Sequence, residues 1–366
     1  MIDTICMYAI CKDEAKNAEA WYDNVKEADR VVVLDTGSTD GTQDILRALG
    51  AEVHEKAYPK PFRFDVARND SLELAKATGC DVLATTDFDE RFTPGWSDIV
   101  RSEWVLGKHT RATYDNRYED NEECQGLNWI HSYDWTWRYP CHEALFRGDS
   151  MDYYFHEELD LRGRVCLQHR QDHSKDRSQY LPLLKLRYEE FPDDQNSAAY
   201  FVREYMYLEK PDEILELEPV LSAMPLSGNA GAWVCISISW AHEVKGELLE
   251  AERWMFRGFQ CDPDCRTAST GLARLLSDRG KDMAAEGILR QSFNDSVLTD
   301  RPIFVDNEDV WLWRMEDWLG VTYYRQGRYA DAERCFAHAL EGAKGESAEH
   351  VRKNLGFARS MQGGER

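Results

Sequence analysis

The first ninety residues alternate between short apolar or β-branched runs and longer segments in which apolar residues recur at helical spacing. This pattern predicts strands over 4–10, 30–35, 52–54 and 81–86, and helices over 18–25, 41–49 and 64–78. Strands that alternate with helices are typical of an α/β domain with a mostly parallel sheet covered on both faces. Ligands bind such sheets at the carboxyl ends of the strands, so the residues directly after each strand are the first candidates for a site.

The second half of the chain has a different pattern, in which helical periodicity continues and strand signals fade. Gly246 and Gly280 lie 34 residues apart in similar settings. A third and clearer copy, with the sequence WLGVTY at 318–323, is followed by Gly327 and by regularly spaced alanine and aromatic residues. This spacing is the pattern of a tetratricopeptide repeat, in which small residues let two helices pack closely.

The repeat spacing also sets the expected domain organisation. The distance between the second and third glycines exceeds one repeat by about 13 residues, so we expect an insertion around 294–309. We predict an α/β domain over 1–177 and an all-α repeat domain over 178–366. An unrelated helical bundle is the alternative for the second domain.

The composition of the chain narrows the classes of binding partner that we expect for this protein. The formal net charge is −23, and the acidic excess is spread over both halves of the chain. An acidic surface repels phosphate backbones, which disfavours nucleic acid and anionic membranes as partners but leaves nucleic acid open. The longest apolar stretch, 231–241, is too short to span a bilayer. The acidic N-terminus and ten cysteines without a CxxC pair lead us to expect a cytoplasmic protein with reduced thiols.

The first candidate site residue is Asp35, which ends the second predicted strand in the sequence DTGSTDGT. Its carboxylate at the sheet edge is suited to accept a hydrogen bond from a nucleobase NH or a ribose hydroxyl. Ser38 and Asp40 are equally suited to capping the next helix, which is the ordinary role of such residues in a βα turn.

The second candidate is the DxD pattern of Asp87 and Asp89, which follows the fourth predicted strand and continues into Glu90. Two carboxylates two residues apart at the mouth of a sheet can hold a hard divalent cation, and the cation would neutralise a diphosphate. The alternative is a solvated acidic loop. The position at a strand end favours the functional interpretation.

Two further features lie between these motifs and after them. Arg68 stands near the start of a predicted helix, where a guanidinium can meet a phosphate or a base carbonyl or serve as a plain surface charge. Trp129, Trp135 and Trp137 lie in an aromatic stretch and are candidates for a sugar or acceptor cleft. Their alternation also suits a strand with one packed face, so we expect at least one of them in the core.

Four segments in this order resemble one family. The segments ICKDEAKN at 10–17, VVVLDTGSTDGT at 31–42, FxxARN at 64–69 and DFDE at 87–90 are similar to those of family-two glycosyltransferases of the GT-A fold. The layout resembles the subset whose catalytic domain is followed by tetratricopeptide repeats, including the sublancin-type peptide glycosyltransferases. The resemblance is dense over 4–90 and looser beyond.

The resemblance implies a role for each matching residue. Asp35 should contact the nucleotide base, Arg68 the base or the diphosphate, and Asp87 the ribose. Asp89 should coordinate Mn²⁺ or Mg²⁺. The backbone from Ala9 to Cys11 and the side chain of Glu14 should frame the nucleoside. The chain departs from the family at Phe88, where a small residue is usual. We expect the Phe88 ring to point into the fold. The alternative is that Phe88 changes the shape of the sugar pocket, and for this reason we place it with the donor-binding residues.

The reaction implied by the resemblance is transfer of a sugar from a nucleotide-diphosphate donor with inversion at the anomeric carbon. Inversion by one displacement needs a base on the acceptor side and a metal on the leaving-group side. Glu143, in the segment YPCHE at 139–143, is the candidate base, and an ordinary ion-paired carboxylate is the alternative. We expect His142 to be structural. His169 is the candidate further metal ligand, with His173 as the alternative.

The leading hypothesis is therefore a metal-dependent glycosyltransferase, hexosyltransferase-like, whose donor is linked to UDP or GDP. The repeats favour a peptide or protein as acceptor, and lipid-linked glycans, small metabolites and modified nucleic-acid bases are the alternatives. A homodimer through the repeat domain stays open. The main alternative is a peptide-binding repeat protein with a degenerate, non-catalytic GT-A scaffold. A nucleotidyltransferase ranks last, because the basic glycine-rich loop expected after its first strand is replaced by Cys11-Lys-Asp-Glu14.

Overall fold

The chain forms two compact units, 1–187 and 188–366. The computed structural model describes residues 2–118, 124–148, 158–170, 180–292 and 310–363. The domain boundary predicted at 177/178 and the insertion predicted around 294–309 both lie outside the described residues.

The first unit combines a large sheet with helices. Its strands are β1 (Ile5–Cys11), β2 (Arg30–Asp35), β3 (Glu52–Glu55), β4 (Val82–Thr85), β5 (Glu90–Phe92), β6 (Arg111–Tyr118), β7 (Cys124–His131), β8 (Trp135–Arg138), β9 (Ala144–Arg147), β10 (Glu158–Asp160) and β11 (Cys166–His169). Its helices are α1 (Ala15–Val25), α2 (Thr42–Leu49), α3 (Phe64–Ala77) and α4 (Trp96–Glu103), and α5 (Tyr180–Glu190) runs across the division between the units. The elements predicted for the first ninety residues are all present, with ends shifted by at most three residues.

The strand order is β3-β2-β1-β4-β7-β6-β11-β5, with β10 pairing to β6, while β8 and β9 form a separate hairpin. The first four strands are parallel to one another, as predicted. The sheet is mixed, because β7 runs antiparallel to both β4 and β6 and β5 runs antiparallel to β11. The chain order reverses at β1, which has β2 on one side and β4 on the other. Such a reversal opens a crevice at the carboxyl ends of the strands.

Both faces of the sheet are buried. On one face, α1 places Trp21 and Val25 against the sheet, as its helical spacing predicts, and both side chains are fully buried. On the other face, Leu72 and Ala75 of α3 pack in a second cluster with Tyr8 of β1. The central strands β1 and β2 are therefore buried on both faces, which is why their sequences are nearly continuous apolar runs.

The second unit is helical throughout its described part. Its helices are α6 (Gln195–Tyr207), α7 (Pro211–Ala223), α8 (Gly228–Val244), α9 (Leu248–Cys261), α10 (Arg266–Asp278), α11 (Asp282–Ser292), α12 (Met315–Arg325), α13 (Tyr329–Gly342) and α14 (Gly345–Gly363), and a π-helical turn at Val310–Arg314 precedes α12.

Three glycines mark equivalent turns in this unit. Gly246 separates α8 from α9, Gly280 separates α10 from α11, and Gly327 separates α12 from α13. Their φ angles are +79°, +73° and +76°, a left-handed conformation that glycine adopts without steric cost. The predicted repeat of helix pairs is therefore present at all three places.

The apolar stretch 231–241 lies within α8, and all but one of its residues are buried. A helix that is hydrophobic all round is a core helix when other helices surround it. Within the described ranges, no helix is long and apolar enough to cross a bilayer.

Gly320 of α12 lies close to the Phe336 ring of α13. A Cβ atom at this position would lie 2.6 Å from Cε1 of Phe336, which is itself buried. Gly287, an exposed residue of α11, has open space around its own Cβ position. The two glycines therefore offer a matched comparison of packing and helix propensity.

We expect Gly320→Ala to lower the free energy of unfolding by about 1–3 kcal/mol, because the added methyl group must displace the Phe336 ring. Gly287→Ala should raise it by up to about 1 kcal/mol through helix propensity. Urea unfolding followed by circular dichroism measures both changes. Equal effects in the two variants would contradict the close packing.

His242, in the last turn of α8, is held between two glutamates. Its Nδ1 lies 2.7 Å from Glu247 Oε2, and its Nε2 lies 3.1 Å from Glu218 Oε1 of α7. Glu218 Oε1 also accepts a hydrogen bond of 2.6 Å from Trp254 Nε1 of α9. Burial alone would lower the pKa of His242, but the two carboxylates outweigh it and raise the pKa above its usual value. The imidazole of His242 therefore links α7 to α8 and the following turn, and its protonated form is stabilised there.

A raised histidine pKa stabilises the folded state below the unfolded-state value of about 6.5, and this contribution is lost as the pH rises through the folded-state pKa. We expect His242→Gln to lower the thermal unfolding temperature more at pH 6 than at pH 8.5. Thermal unfolding of both proteins at the two pH values measures the difference. A constant difference would show that the ring acts only through packing.

Candidate functional site

The carboxyl ends of β1 and β2 are joined by their loops. Asp13 Oδ1 accepts a hydrogen bond of 2.7 Å from Thr39 N, and the Asp13 N–H donates to Ser38 Oγ at 2.8 Å. Asp40 Oδ2 accepts from Ala15 N at 2.9 Å, and Asp40 Oδ1 accepts from Thr42 N at 3.1 Å. Asp40 therefore satisfies first-turn donors of both α1 and α2, which is the capping role expected for it.

Asp35 ends β2 and is fully buried. Its Oδ1 accepts from Gly37 N at 2.9 Å, from Ser38 N at 2.8 Å and from Gln43 Nε2 at 3.1 Å. Its Oδ2 accepts from Ser38 Oγ at 2.5 Å and from Cys11 Sγ at 3.2 Å. Burial would raise the pKa of Asp35, but these hydrogen bonds outweigh it and lower the pKa. The carboxylate thus organises its own turn, and its contact with a base stays a prediction.

The segment 87–90, which follows β4, is held in place from several directions; we call it the carboxylate loop. Glu90 Oε2 accepts a hydrogen bond of 2.8 Å from Asp87 N. The Phe88 ring is buried and stacks on Trp21 with ring centres 4.2 Å apart. Arg91 Nη1 donates to the carbonyl oxygens of Phe88 at 2.8 Å and of Glu90 at 2.6 Å. Arg91 thereby fixes the backbone on both sides of Asp89, a contact that sequence reasoning missed.

Phe88 points into the fold, as expected. Its ring lies in the core cluster that includes Trp21, so the side chain is not at the surface of the site. A donor-binding role for Phe88 stays a prediction that depends on its backbone.

His169 lies against the carboxylate loop because β11 pairs with β5, with His169 opposite Glu90. Its Nδ1 lies 3.2 Å from Glu90 Oε1, and its Nε2 lies 3.8 Å from Asp89 Oδ2. Burial raises the pKa of Glu90. Burial would lower the pKa of His169, but Glu90, Asp89 and Asp87 outweigh it and raise the pKa.

The two predicted metal ligands, Asp89 and His169, are therefore neighbours. A carboxylate oxygen and an imidazole nitrogen are ligand types suited to manganese, and Glu90 orients the imidazole through its other nitrogen, as carboxylates commonly do for metal-bound histidines. Within the described residues, no group of three or more His, Cys, Asp or Glu side chains is placed to hold a metal ion. His173 lies in 171–179, outside the described residues. Metal binding stays a prediction, and the ligand types of Asp89 and His169 are compatible with it.

Arg68 joins the candidate residues from three parts of the chain. Its side chain is 4% exposed, and its Nη2 donates to Asp87 Oδ1 at 2.8 Å while its Nε donates to Glu143 Oε1 at 2.5 Å. Burial would lower the pKa of Arg68, but Asp87 and Glu143 outweigh it and raise the pKa further above its usual value. Nη1 is buried and has no hydrogen-bond partner among the described residues. Arg68 is therefore not a plain surface charge.

The tryptophans of the aromatic stretch differ in role. Trp135 and Trp137 are buried in the core, as the packing alternative holds, and Trp129 is partly buried. The Arg68 guanidinium carbon lies 5.0 Å from the Trp129 ring centre and 4.9 Å from that of Trp137, close enough for cation–π attraction. The burial of Trp135 and Trp137 disfavours a role for these two rings in stacking on a sugar.

Two polar contacts hold Trp137 beside Arg68, and sequence reasoning missed both. Asn69 exchanges hydrogen bonds of 2.8 Å with the N–H and the carbonyl of Trp137. Trp137 Nε1 donates to Tyr8 Oη at 3.0 Å, and Tyr8 Oη lies 2.7 Å from His131 Nε2. Burial raises the pKa of Tyr8 and lowers that of His131 to about 4, so both side chains are neutral. The position of Asn69 directly after Arg68 in the sequence was the signal that could have indicated the contact between Asn69 and Trp137.

The other predicted donor-binding residues also lie at this edge of the sheet. The Ala9 carbonyl accepts from Ser71 Oγ at 3.1 Å, and the Cys11 carbonyl accepts from Thr36 N at 2.9 Å. Glu14 is buried, and its Oε2 accepts from Asn17 Nδ2 at 2.7 Å. Their contacts with a nucleoside stay predictions.

His142 has the features of a structural residue. Its backbone is left-handed at φ +47°, and its ring lies 5.6 Å from that of Tyr180. Its carbonyl accepts a hydrogen bond of 3.2 Å from Arg187 Nη1. Arg187 is fully buried over the Tyr139 ring, so this segment fixes the chain just before Glu143.

Comparison with solved structures gives similarities to repeat proteins. MamA is 17% identical, with 44% of this chain and 85% of that chain covered and a TM-score of 0.33. YrrB, described as a TPR protein with an unusual peptide-binding site, is 15% identical, with 49% and 83% covered and a TM-score of 0.37. A thermophilic TPR protein from Thermus thermophilus is 17% identical, with 49% and 89% covered and a TM-score of 0.30.

Comparison with curated proteins gives no match. Family models match two parts of the chain. Residues 9–146 match the glycosyl transferase family 2 model, and residues 319–344 match a tetratricopeptide repeat model. The first match includes Asp35, Arg68, Asp89 and Glu143, whereas His169 lies beyond it. The N-terminal unit thus has a GT-A-like fold and contains the region that matches glycosyl transferase family 2, and the helical unit that follows it contains the tetratricopeptide repeat match.

Proposed function

We propose that this protein is a metal-dependent, inverting glycosyltransferase that moves a sugar from a nucleoside-diphosphate donor to a peptide or protein acceptor. The observation that carries the proposal is the buried Arg68, which binds Asp87 and Glu143 together beside the Asp89–His169 pair. This cluster lies at the carboxyl edge of the sheet in a glycosyl transferase family 2 domain. Buried, charged groups that converge at such an edge are typical of an active site.

The donor end of the proposed site is the carboxylate loop. Asp89 and His169 would hold Mn²⁺ or Mg²⁺, with Glu90 orienting the imidazole. A divalent cation supplies charge compensation for a diphosphate leaving group. The Asp87 side chain is 37% exposed, and we assign it a hydrogen bond from a ribose hydroxyl of the donor.

Arg68 supplies a fixed positive charge at this end. Its Nη1 is the donor that its two carboxylate partners leave unused. A buried N–H without a partner gains the most from a charged acceptor, because the cost of its desolvation is already present in the free protein. We assign it to a phosphate or base oxygen of the donor.

The acceptor end is Glu143. In the proposed reaction the acceptor's hydroxyl or thiol gives its proton to Glu143 as the nucleophile forms a bond to the anomeric carbon, and the bond to the nucleoside diphosphate breaks on the opposite side. Arg68 Nε holds Glu143 Oε1, which leaves Oε2 for the proton. One displacement of this kind inverts the anomeric carbon.

The acceptor class follows from the repeat unit. Stacked helix pairs offer extended surfaces that suit peptides and proteins. The net charge of −23 favours acceptors that are neutral or basic over nucleic acid. A homodimer through the repeat unit and a cytoplasmic location belong to the same proposal.

Asp89→Asn tests the metal-linked donor site. We expect it to abolish nucleotide release from UDP- and GDP-linked sugars and to remove the manganese dependence of UDP and GDP binding, because the amide has no charge to offer a cation. Calorimetry and a nucleotide-release assay measure the two effects. Asp98→Asn, at an exposed aspartate of α4, is the control and should behave as wild type.

The thermal unfolding temperature verifies that the Asp89→Asn variant is folded. Unchanged turnover in a folded Asp89→Asn protein would contradict the proposal. Wild-type protein that binds none of the nucleotides with manganese would favour the non-catalytic peptide-binding alternative.

Glu143→Gln tests the base. Glutamine keeps an oxygen for Arg68 Nε but cannot take up a proton, so we expect turnover to fall by about 10²–10⁴-fold. The dissociation constant for the nucleoside diphosphate should change by less than about threefold, because glutamine keeps the contact with Arg68. A tenfold change would need a loss of about 1.4 kcal/mol of binding free energy. Loss of nucleotide binding together with turnover would assign Glu143 to positioning Arg68 instead.

A further inference from the structure

Three aromatic residues near the site are not part of the core. Tyr58, Phe62 and Phe64, here called the aromatic cluster, are all partly exposed. The Tyr58 and Phe62 ring centres lie 5.6 Å apart and those of Phe62 and Phe64 5.0 Å apart, in both cases edge to face. None of the three belongs to the core clusters found in the described part of this unit. Partly exposed rings in mutual contact offer flat apolar surface on which a planar ligand can stack.

The cluster is continuous with the candidate site. The segment that carries it leaves β3 directly beside Asp35, whose carbonyl accepts a hydrogen bond of 2.9 Å from Lys56 N. It ends at Phe64, the first residue of α3, one helical turn before Arg68. The Phe64 N–H donates to the Pro140 carbonyl at 3.0 Å, close in sequence to Glu143.

Tyr58, at one end of the aromatic cluster, is held in position. Tyr58 Oη donates to Asp70 Oδ2 at 2.7 Å, and Lys56 Nζ binds the same oxygen at 2.5 Å. The Lys56 ammonium lies 5.3 Å from the Tyr58 ring centre. Arg63, which lies between the two phenylalanines in the sequence, pairs with Asp65 through two hydrogen bonds. A ring that is fixed before binding loses little entropy when a flat ligand stacks on it.

Distances along the sheet edge select the part of the donor that reaches the cluster. Neighbouring strands lie about 4.8 Å apart, so β4 and β3, three intervals apart, are separated by roughly 14 Å. In the proposed arrangement the diphosphate lies at Asp89, after β4, and the nucleoside extends past β1 and β2 toward the segment after β3. Asp35, on the way, is buried, and its carboxylate oxygens already accept hydrogen bonds from its own turn, from Gln43 and from Cys11.

We propose that the aromatic cluster stacks against the nucleobase of the donor and is the main source of affinity for the base. This inference rests on the proposed function and adds to it the residues that bind the base. A stacked ring is tolerant of base identity, so the cluster predicts affinity for more than one nucleoside diphosphate.

The test compares ligands with and without a base. Wild-type protein, Phe62→Ala, Phe64→Ala and Phe62→Tyr are titrated with UDP, GDP and inorganic pyrophosphate in the presence of manganese. Loss of a stacked ring should weaken UDP and GDP binding by roughly 5- to 150-fold in the two alanine variants. Phe62→Tyr should bind as wild type, and pyrophosphate should bind all four proteins equally. Phe357→Ala, at an exposed ring of α14, is the control.

The outcomes separate this inference from the proposed function. Wild-type binding of UDP or GDP that the alanine variants retain in full would overturn base stacking and leave the donor site intact. Equal weakening of pyrophosphate would also overturn it, because the substitutions would then act on the site as a whole. Wild-type protein that binds no nucleoside diphosphate would overturn both.

Discussion

The buried guanidinium of Arg68 is the interaction on which the candidate site depends. Removing a charge from water costs several kcal/mol unless opposite charges and hydrogen bonds replace the water. Asp87 and Glu143 provide both, and the faces of Trp129 and Trp137 enclose the rest of the group. Because the charge must stay paired, α3, the carboxylate loop and the segment after β8 are constrained to one another. The site is therefore built as one unit from parts of the chain up to 75 residues apart.

The same constraint explains the shape of the surrounding core. Trp137, whose ring centre lies 4.9 Å from the Arg68 guanidinium carbon, donates its indole N–H to Tyr8 of β1, so the polar group of this buried ring is satisfied. Asn69 then fixes the backbone of β8 against α3. The hairpin of β8 and β9, which does not join the main sheet, is thus attached to the site by the residues that enclose the arginine.

Much of the fold is predictable from the sequence because its elements depend on local patterns. The β-branched run of β2 ends at Asp35, α2 ends at a left-handed Gly50, and the repeat glycines mark turns whose conformation other residues adopt at a cost. The candidate site is less predictable. Whether Asp35 faces a ligand or its own turn depends on side-chain rotation, and the partners of Arg68 depend on strand register far along the chain. Pattern reasoning therefore identified Asp87, Asp89 and Arg68 as important without identifying how they are joined.

The pairing of Arg68 also determines how the remaining acidic groups divide their roles. Arg68 pairs with Asp87 and Glu143, while Asp89 and Glu90 both lie against His169. Glu90 is the more buried of the two and binds the imidazole Nδ1 at 3.2 Å, so it orients the ring. The Nε2 atom then faces Asp89 at 3.8 Å, too far for a good hydrogen bond. An oriented imidazole nitrogen and a carboxylate oxygen that face each other at this distance are suited to share a cation, which is the physical reason for proposing the donor end of the site at this pair.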